Sequence, residues 1–398
     1  MFNYLKSIVQ KRLHTQSLTQ KPMLEWHPAR LTHAVDASEY SKNPIVYRCI
    51  KLIAESASHV PLLVFKKNRH AKIRDNAHVC NRLFRQPNPQ QGGTEFFAAA
   101  ITNKLLFGES YLMLAKADMQ DLPPQLEIYL LDNSRVSLSI ANNILHSFVY
   151  ESPHGKIVYK IDQISRQSKV LQLKNYNPFN QSRGMSCLSP ATSSIALNRM
   201  ASEWNYSLLK NGARPSGAII LRDGNRYLSA DQFERLKNEI QEKYSSSVNA
   251  GRPMLLEGGL DWKEMSMSPK DMDFSESKDS SARDIALSCG VPPQLLGIKG
   301  DNTYSNMQEA RIALWEETII PLLDKISDSL SNWLSYWLKE DLIIEFNRDE
   351  ISALTERREN LWSKIANVDF MTINEKREFV GLPPLPGGNN LSKLEPNS

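Results

Sequence analysis

The chain has 398 residues, a net charge of +4 and 23% charged residues, which is the composition of a soluble globular protein with two or three domains. No apolar run approaches the roughly 18 residues that a transmembrane helix needs, so neither a membrane span nor a membrane partner is predicted. Residues 1–34 carry five basic side chains and one acidic side chain, which leaves the remainder close to neutral. A protein that grips nucleic acid over a broad basic face is therefore not predicted.

The N-terminus and the cysteines favour a cytoplasmic setting. The apolar stretch in "MFNYLKSIVQKRL" is short and is interrupted by Lys6, so it does not read as a secretory signal. The four cysteines are widely spaced and form no C-x-x-C pair, which argues against a zinc site and for reduced thiols. These cysteines are Cys49, Cys80, Cys187 and Cys289.

The chain begins with a basic segment, residues 1–40, that is predicted to be a flexible arm. A helix is predicted over 45–58, directly after Pro44, and a strand over 60–67. A second helix is predicted to start with Thr94 as its N-cap.

Six short β-type runs follow the second helix. Their alternation and spacing predict a mostly antiparallel sheet, which makes one α+β domain together with the preceding helices. The runs cover residues 111–116, 126–131, 135–140, 146–151, 156–161 and 170–174.

The pattern changes at Ser189, which is predicted to cap a helix that ends near residue 211, before Gly212. Strands are predicted at 216–222 and 253–257.

A helix is predicted between these two strands. Ser229 and Gln232 have the capping-box spacing at its start, and Phe233, Leu236, Ile240 and Tyr244 form an apolar stripe along it. An insert of about forty residues is too small to bury a full core, so it is predicted to complete its core against a neighbour.

The last part of the chain is mainly helical. A helix is predicted to end at Cys289, and a long helix is predicted over 306–338 with a kink at Pro321, because proline lacks the backbone N–H that the helix needs. A strand at 341–346 follows. A further capping box is predicted at Thr372 and Glu375.

No motif in the sequence predicts catalysis. The phosphate-loop spacing G-x-x-x-x-G-K-[ST] and the nucleophile elbow G-x-S-x-G are both absent. An acidic run, Asp271, Asp273, Glu276 and Asp279, could in principle bind Mg²⁺ for a nuclease. Asp271 and Asp273 do not share the helix face of Glu276, so a solvated acidic face is favoured. No catalytic residue, metal or cofactor is predicted.

Several unusual strings follow one another in a specific order. They include "NPIVYRCIKLIAESASHVPLLVF", "RQPNPQQGGTEFF", "LLFGESYLML", "CLSPATSSIALN", "KNGARPSGAIIL", "AGRPMLLEGGLDWKEMSMSPKDMDF", "GVPPQLLG", "NTYSNMQEA" and "INEKREFVGLPPLPGG". Together they resemble the portal protein family of tailed double-stranded DNA bacteriophages, in the form found in long-tailed phages, prophages and gene-transfer particles. The resemblance covers about residues 40–390. The stretch "SESKDSSARDI" departs from the family's usual leucine- and arginine-bearing version.

The resemblance implies an α+β portal fold with a wing, stem helices, an α/β clip, a long kinked spine helix and a short helical crown. It assigns 1–40 to an arm outside the common pattern, 41–188 to the wing, 189–213 to the first stem helix, 214–260 to the clip, 261–296 to the second stem helix region, 297–305 to the tunnel loop, 306–349 to the spine helix and a wing strand, and 350–398 to the crown and tail.

The resemblance also implies partners and a location. The family forms a ring, usually of twelve subunits, at one capsid vertex of the virion, and it assembles in the bacterial cytoplasm. Double-stranded DNA passes through its channel without sequence readout. The implied protein partners are the large terminase subunit, the major capsid protein and a head–tail adaptor.

Two sets of candidate site residues follow from this resemblance. The tunnel loop implies channel contacts with DNA, because polar and charged side chains make exchangeable contacts with phosphates. Its candidates are Lys299, Asp301, Asn302, Thr303, Tyr304, Ser305 and Asn306. The alternative is that Thr303 or Ser305 only caps the following helix. The candidates for clip contacts are Arg222, Arg226, Arg235, Lys237 and Lys243, and salt bridges between neighbouring subunits are the alternative for them.

Three other interpretations remain open. The first is a Mg²⁺-dependent DNA-processing enzyme that uses the acidic run. The second is another ring-forming head–tail connector, although such connectors are usually much shorter. The third is a degenerate prophage copy that no longer assembles.

Overall fold

The computed structural model describes residues 25–27, 38–68, 71–117, 125–142, 144–210, 217–221, 229–244, 260–264, 274–298, 304–368, 370–380, 382 and 384–389. Within these ranges, no helix combines the length and the apolar character that crossing a membrane requires.

The described part of the chain is a mixture of helices and antiparallel strands, as the sequence predicts. The helices are Ser38–Lys42 (α1), Pro44–Ser58 (α2), Val79–Arg85 (α3), Gly93–Phe107 (α4), Thr192–Lys210 (α5), Ala230–Tyr244 (α6), Phe274–Cys289 (α7), Tyr304–Ala313 (α8), Ile320–Leu338 (α9), Thr355–Ala366 (α10) and Ile373–Phe379 (α11). The strands are Glu25–His27 (β1), Leu62–Asn68 (β2), Ala71–Arg74 (β3), Glu109–Ala117 (β4), Gln125–Leu131 (β5), Val136–Ala141 (β6), Ile144–Ser152 (β7), Gly155–Lys160 (β8), Val170–Lys174 (β9), Gly217–Leu221 (β10), Leu260–Glu264 (β11) and Leu342–Phe346 (β12).

The six β-type runs of the sequence form two antiparallel sheets. One sheet has the order β5-β4-β9, and the other has the order β1-β6-β7-β8. The sheet β5-β4-β9 is apolar on both faces, because Leu112 of β4 packs in the main core while Tyr111 packs in a second cluster. Tyr111 on β4 and Phe148 on β7 belong to one buried cluster, and their ring centroids lie 5.8 Å apart in an edge-to-face arrangement. This contact joins the two sheets.

A third sheet brings distant parts of the chain together. Strand β12 pairs with β2, so Ile344 lies opposite Val64, and both side chains are almost fully buried. The main core lies behind this sheet, between α2, α4 and α9. Trp333 and Trp337 of α9 both donate their indole N–H to the Ser168 carbonyl oxygen, over 2.8 and 3.1 Å. Helix α9 is thereby fixed to the segment that precedes β9.

Two ordered elements lie within residues 1–40, for which the sequence predicts an arm without regular structure. Strand β1 pairs with the edge of β6, and Trp26 lies opposite Ser139. Helix α1 begins at Ser38. Neither element has a strong local pattern, because β1 has three residues and α1 has five.

The predicted cap at Thr94 is wrong. Helix α4 begins at Gly93, and Gly92 is its N-cap, with the Gly92 carbonyl oxygen accepting from the Phe96 N–H over 3.0 Å. The cause is a close approach of two backbones. A Cβ on Gly93 would lie 1.9 Å from the Phe84 carbonyl oxygen, so only glycine fits there.

The predicted cap at Ser189 is also wrong. Residues Ser189–Ala191 form a 3₁₀ turn, and α5 begins only at Thr192. The Thr192 hydroxyl donates to the Ser189 carbonyl oxygen over 2.8 Å. A 3₁₀ turn at the start of an α-helix satisfies terminal backbone groups without a side-chain cap.

The long helix differs from the prediction in its start and in its regularity. It begins at Tyr304 rather than at Asn306, and its α-helical pattern is broken by a π-helical segment, Leu314–Ile319. Pro321 is the second residue of α9. The sequence predicts a kink at Pro321, and the irregularity lies just before it, in the π-helical segment.

In the insert, the helix prediction is confirmed and one strand is revised. At the start of α6, the Ser229 N–H donates to the Gln232 side chain over 3.0 Å, and the Gln232 N–H donates to the Ser229 hydroxyl over 3.3 Å. The predicted strand 253–257 lies outside the described residues. The strand that pairs with β10 is β11, which begins at Leu260.

Candidate functional site

Two long helices, α5 and α7, pack side by side. The Ser194 hydroxyl on α5 donates to the Asp284 carboxylate on α7 over 2.9 Å. Further along, the Asn198 amide donates to the Ser281 hydroxyl over 3.2 Å and to the Lys278 carbonyl oxygen over 3.3 Å. Residues further along α5 contact residues earlier in α7, so the helices are antiparallel. Helix α5 lies within 189–213 and α7 within 261–296, the two ranges for which the resemblance implies stem helices.

Asn198 also ties this helix pair to the wing. It is buried, and its side-chain oxygen accepts from the Asn43 amide over 3.4 Å. The Asn43 side-chain oxygen in turn caps α2, accepting from the Ile45 and Val46 N–H groups over 3.0 and 3.3 Å. One buried polar chain therefore connects α2, α5 and α7. Because buried amides are costly without partners, this network fixes the register of the three helices.

An ion pair supports the same junction from the side of α1. Arg199 on α5 binds the Glu39 carboxylate on α1, whose side chain is only 8% exposed. Such a buried carboxylate needs a partner, so the pair holds α1 against the first stem helix.

A second polar cluster holds the segment that leads into α5. Arg183 donates to the Glu109 carboxylate over 2.7 Å and to the Tyr111 hydroxyl over 3.2 Å. The Gly184 N–H and the Gln172 amide donate to the other Glu109 oxygen over 3.0 and 2.9 Å. Burial, and then the nearby Glu109 carboxylate, raises the pKa of Tyr111, so Tyr111 stays a neutral hydroxyl at neutral pH.

The residues predicted to form the tunnel loop follow α7 and precede α8 in the chain. After α7, residues Pro293–Leu296 form a 3₁₀ turn that ends at Gly297 in a left-handed conformation, with φ of 73°. The next residue, Ile298, is buried. The chain is thus anchored just before position 299.

The candidate loop residues divide into two groups. Lys299, Asp301, Asn302 and Thr303 lie outside the described residues. Tyr304, Ser305 and Asn306 form the first turn of α8, so they belong to the helix rather than to the loop. Ser305 is the second residue of α8 and is not its N-cap. Both Ser305 and Asn306 are exposed.

The clip candidates also divide. Arg222 and Arg226 lie outside the described residues. Arg235 and Lys237 are exposed on α6, which also contains Lys243. Lys237 forms an exposed pair with Glu234 in the same helix, at 3.5 Å, and a pair of this kind contributes little to stability.

The apolar stripe of α6 is partly uncovered in the isolated chain. Phe233 has 56% of its surface exposed although it belongs to this stripe. That exposure fits the prediction of an insert that completes its core elsewhere.

The acidic run does not form a site in the part of the chain that the structure describes. Glu276 is exposed and Asp279 is partly buried on α7, while Asp271 and Asp273 fall outside that part. Among the described residues, no group of three or more His, Cys, Asp or Glu side chains could hold a metal ion.

Sequence reasoning did not identify the residues that organise the junction, notably Asn43, Asn198 and Glu109. The sequence contains one weak indication that Asn198 is buried. Asn198 is polar but lies on the same face of the predicted helix as the apolar residues Ile195 and Ala201. Glu109 carries no local signal, because its partners lie more than sixty residues away.

Comparisons with known proteins agree with this architecture. The phage portal protein family model matches residues 44–381. A protein of Rickettsia felis is 57% identical over 357 residues, covering 90% of this chain and 91% of that protein. The portal protein of Enterobacteria phage HK97 is 24% identical, covering 86% of this chain and 80% of that protein.

A solved structure is similar as well. The neck of a native gene transfer agent (GTA) particle, computed with C12 symmetry, contains a chain that is 36% identical, with a TM-score of 0.67. The match covers 92% of this chain and 96% of that chain. The fold with its antiparallel helix pair and α/β insert, together with these matches, defines a phage head protein. The chain belongs to the phage portal protein family.

Proposed function

We propose that this chain is a subunit of a portal ring of twelve copies at one vertex of a phage-like capsid, and that double-stranded DNA passes through the ring. The observation that carries this proposal is the 36% identity to a chain in a C12-symmetric particle neck, over 92% of the present chain. Similarity at that level over nearly the whole chain supports the same arrangement of subunits.

The local structure supports the same function. The antiparallel pair α5/α7 carries the insert β10–α6–β11 away from the wing, and the insert has an apolar side chain, Phe233, without cover in the isolated chain. A neighbouring subunit in a ring supplies that cover. The exposed cations Arg235 and Lys237 then lie on the surface of the insert, where they contact either a packaging or adaptor protein or the next subunit.

The loop 299–303 is the proposed DNA contact in the channel. In a ring of twelve, Lys299 and Asp301 are each repeated twelve times. Lysines attract phosphates without reading sequence, and nearby carboxylates limit that grip, so the duplex can slide. The proposed partners are the large terminase subunit, the major capsid protein and a head–tail adaptor. The chain itself is proposed to be a conduit without catalytic activity.

Native mass spectrometry of the purified protein at high concentration is the first test. We expect a species near twelve times the 45.3 kDa chain mass. If only monomer is found, co-expression with the capsid protein is the second arm, because a ring that needs capsid partners then appears in the co-purified particle. Monomer in both arms contradicts the proposed ring. Mg²⁺-dependent cleavage of plasmid DNA would instead favour the enzyme interpretation.

A further inference from the structure

Three of the free cysteines lie close together, because Cys289 neighbours both Cys187 and Cys49, and the proposed portal function uses none of them. The Cys187 and Cys289 sulfur atoms lie 3.7 Å apart, and all four cysteines are free thiols. Cys289 is the last residue of α7 and is buried, whereas Cys187, in the turn before α5, is partly exposed.

The position of this pair in the chain is unusual. Cys187 immediately precedes the excursion formed by α5, the insert and α7, and Cys289 ends it, 102 residues later. The two sulfur atoms therefore meet at the base of the excursion, where the chain leaves the wing and returns to it. A bond between them would close the whole excursion into one covalent loop.

The surroundings hold the two thiols in place. The Cys187 thiol contacts the Leu105 carbonyl oxygen on α4 at 3.4 Å, and the Ser288 hydroxyl donates to the Cys187 carbonyl oxygen. Hydrogen bonding with Cys187, then with Cys49, and then burial raise the pKa of Cys289. Cys289 is therefore a protonated thiol at neutral pH, and the reductant of a reducing medium keeps the pair open.

We propose that Cys187 and Cys289 are a covalent cross-link site. When the protein leaves a reducing medium, exchange with a glutathione-type disulfide converts the two thiols into an intramolecular disulfide. Disulfides persist on particles outside the cell and are rare in the cytoplasm, so the bond follows assembly. The inference goes beyond the proposed portal function, because the chemistry requires only the folded chain.

The reaction balances in two exchange steps. The partly exposed Cys187 thiolate attacks a sulfur of glutathione disulfide, which forms a Cys187–glutathione bond and releases one glutathione thiolate. With Cys187 bonded to glutathione, the hydrogen bond that most raises the pKa of Cys289 is lost, and Cys289 gives its proton to the released glutathione thiolate. The Cys289 sulfur then attacks the Cys187 sulfur, which forms the Cys187–Cys289 bond and releases the second glutathione thiolate. The two cysteines lose two electrons and two protons, and glutathione disulfide becomes two glutathione thiols.

The length of a disulfide is about 2.05 Å, so the sulfur atoms must approach each other by well over 1 Å. Cys187 lies in a turn rather than in a helix, and rotation of its side chain supplies this movement.

The test uses the full-length wild-type protein, reduced, freed of reductant and then treated with glutathione disulfide. Free thiols are alkylated, and tryptic peptides are analysed without reduction. The four cysteines fall in separate tryptic peptides, 49–51, 75–82, 184–199 and 284–299, so every pairing has its own mass. We expect peptide 184–199 linked to peptide 284–299 as the main product, and a melting midpoint that rises by a few degrees only in the oxidised sample.

Variants separate this linkage from other chemistry. Cys187→Ser and Cys289→Ser should abolish the linked peptide and the rise in melting midpoint. Cys49→Ser and Cys80→Ser should retain both. Four outcomes overturn the proposal: a Cys49–Cys289 linkage, a stable Cys187–glutathione adduct, a linkage between two chains, or no reaction. Native mass spectrometry of the same samples reports ring assembly separately, so a failed cross-link is distinguishable from a failed ring.

Discussion

The Thr318 hydroxyl donates to the Gly290 carbonyl oxygen over 2.6 Å, which joins the π-helical segment before α9 to the residue directly after α7. Gly290 has a φ of 70°, a left-handed conformation that terminates helices and favours glycine. A Cβ at this position would lie 2.6 Å from the Thr318 hydroxyl oxygen. Two separate constraints, conformational and steric, therefore require glycine directly after α7, where the chain contacts the π-helical segment.

Gly290→Ala should lower the stability of the chain by roughly 2–3 kcal/mol, because it adds the steric conflict with Thr318 to the cost of positive φ. The readout is the midpoint of thermal unfolding. Gly297→Ala is the matched control, because Gly297 has a φ of 73° and open space around it. It should cost only about 1 kcal/mol. The double variant Gly290→Ala/Thr318→Ala should recover part of the loss, and equal costs at the two glycines would show that Thr318 is irrelevant.

Asn198→Ala should weaken the junction between the wing and the stem helices. The substitution leaves Asn43 and Ser281 without their partner in a buried environment, at a cost of about 1–3 kcal/mol. Hydrogen exchange of backbone amides should therefore speed up in α5, α7 and the first turn of α2. Ser194→Ala removes an exposed hydrogen bond between the same two helices and serves as the control. The network has no special role if both variants exchange alike.

Lys104→Met should stabilise the protein at neutral pH. Lys104 is 3% exposed in α4, and burial, followed by the nearby Lys325 charge, lowers its pKa to about 8. Below pH 8 the buried Lys104 is charged in the folded state. Between pH 8 and the ordinary lysine pKa, the unfolded chain binds more protons at this position than the folded chain does. Wild-type stability should therefore rise as the pH increases from about 8 to about 10, by at most about 3 kcal/mol.

The measurement is the melting midpoint against pH for the wild type and Lys104→Met. The variant should start higher at pH 7 and lose the rise above pH 8. Lys325→Met, which removes only the second cause of the shift, should show a smaller effect in the same direction. A wild-type curve that is flat across this range would contradict a buried titrating lysine.

Replacing Lys299 and Asp301 together with Ala should leave the ring intact and reduce packaged or retained DNA. The motivation is their position between Ile298 and α8, where the family has its tunnel loop. Ring mass by native mass spectrometry and DNA content per particle are the two readouts. A matched control replaces the exposed clip cations Arg235 and Lys237, whose loss should affect partner binding rather than DNA retention once the capsid is filled. Failure of ring formation in the loop variant would instead make these residues structural.

The sequence predicts what depends on local patterns. Strand β9 coincides with its predicted run, and α6 begins at the predicted capping box, because alternation and capping involve residues close in the chain. Thr372 and Glu375 likewise form the predicted capping box at α11.

The features that the sequence misses depend on distant contacts. At the start of α4, the Phe84 carbonyl oxygen lies so close that only glycine fits at position 93. A rule based on neighbouring residues cannot detect this contact, so it selects Thr94 as the cap. The role of Asn198 depends on Asn43, which is 155 residues away. For the candidate site, helices α7 and α8 lie on either side of residues 299–303, and α8 includes the candidates Tyr304, Ser305 and Asn306.

The π-helical segment Leu314–Ile319 has a consequence for comparing relatives. The Ile320 N–H donates to the Trp315 carbonyl oxygen, five residues back, where an α-helix would use a residue four back. This surplus residue rotates everything that follows by about 100° around the helix axis. A relative whose spine is uninterrupted α-helix should therefore align with a one-residue gap in this segment. Such a gap would indicate that the π-helical segment arose by insertion of one residue into an α-helix.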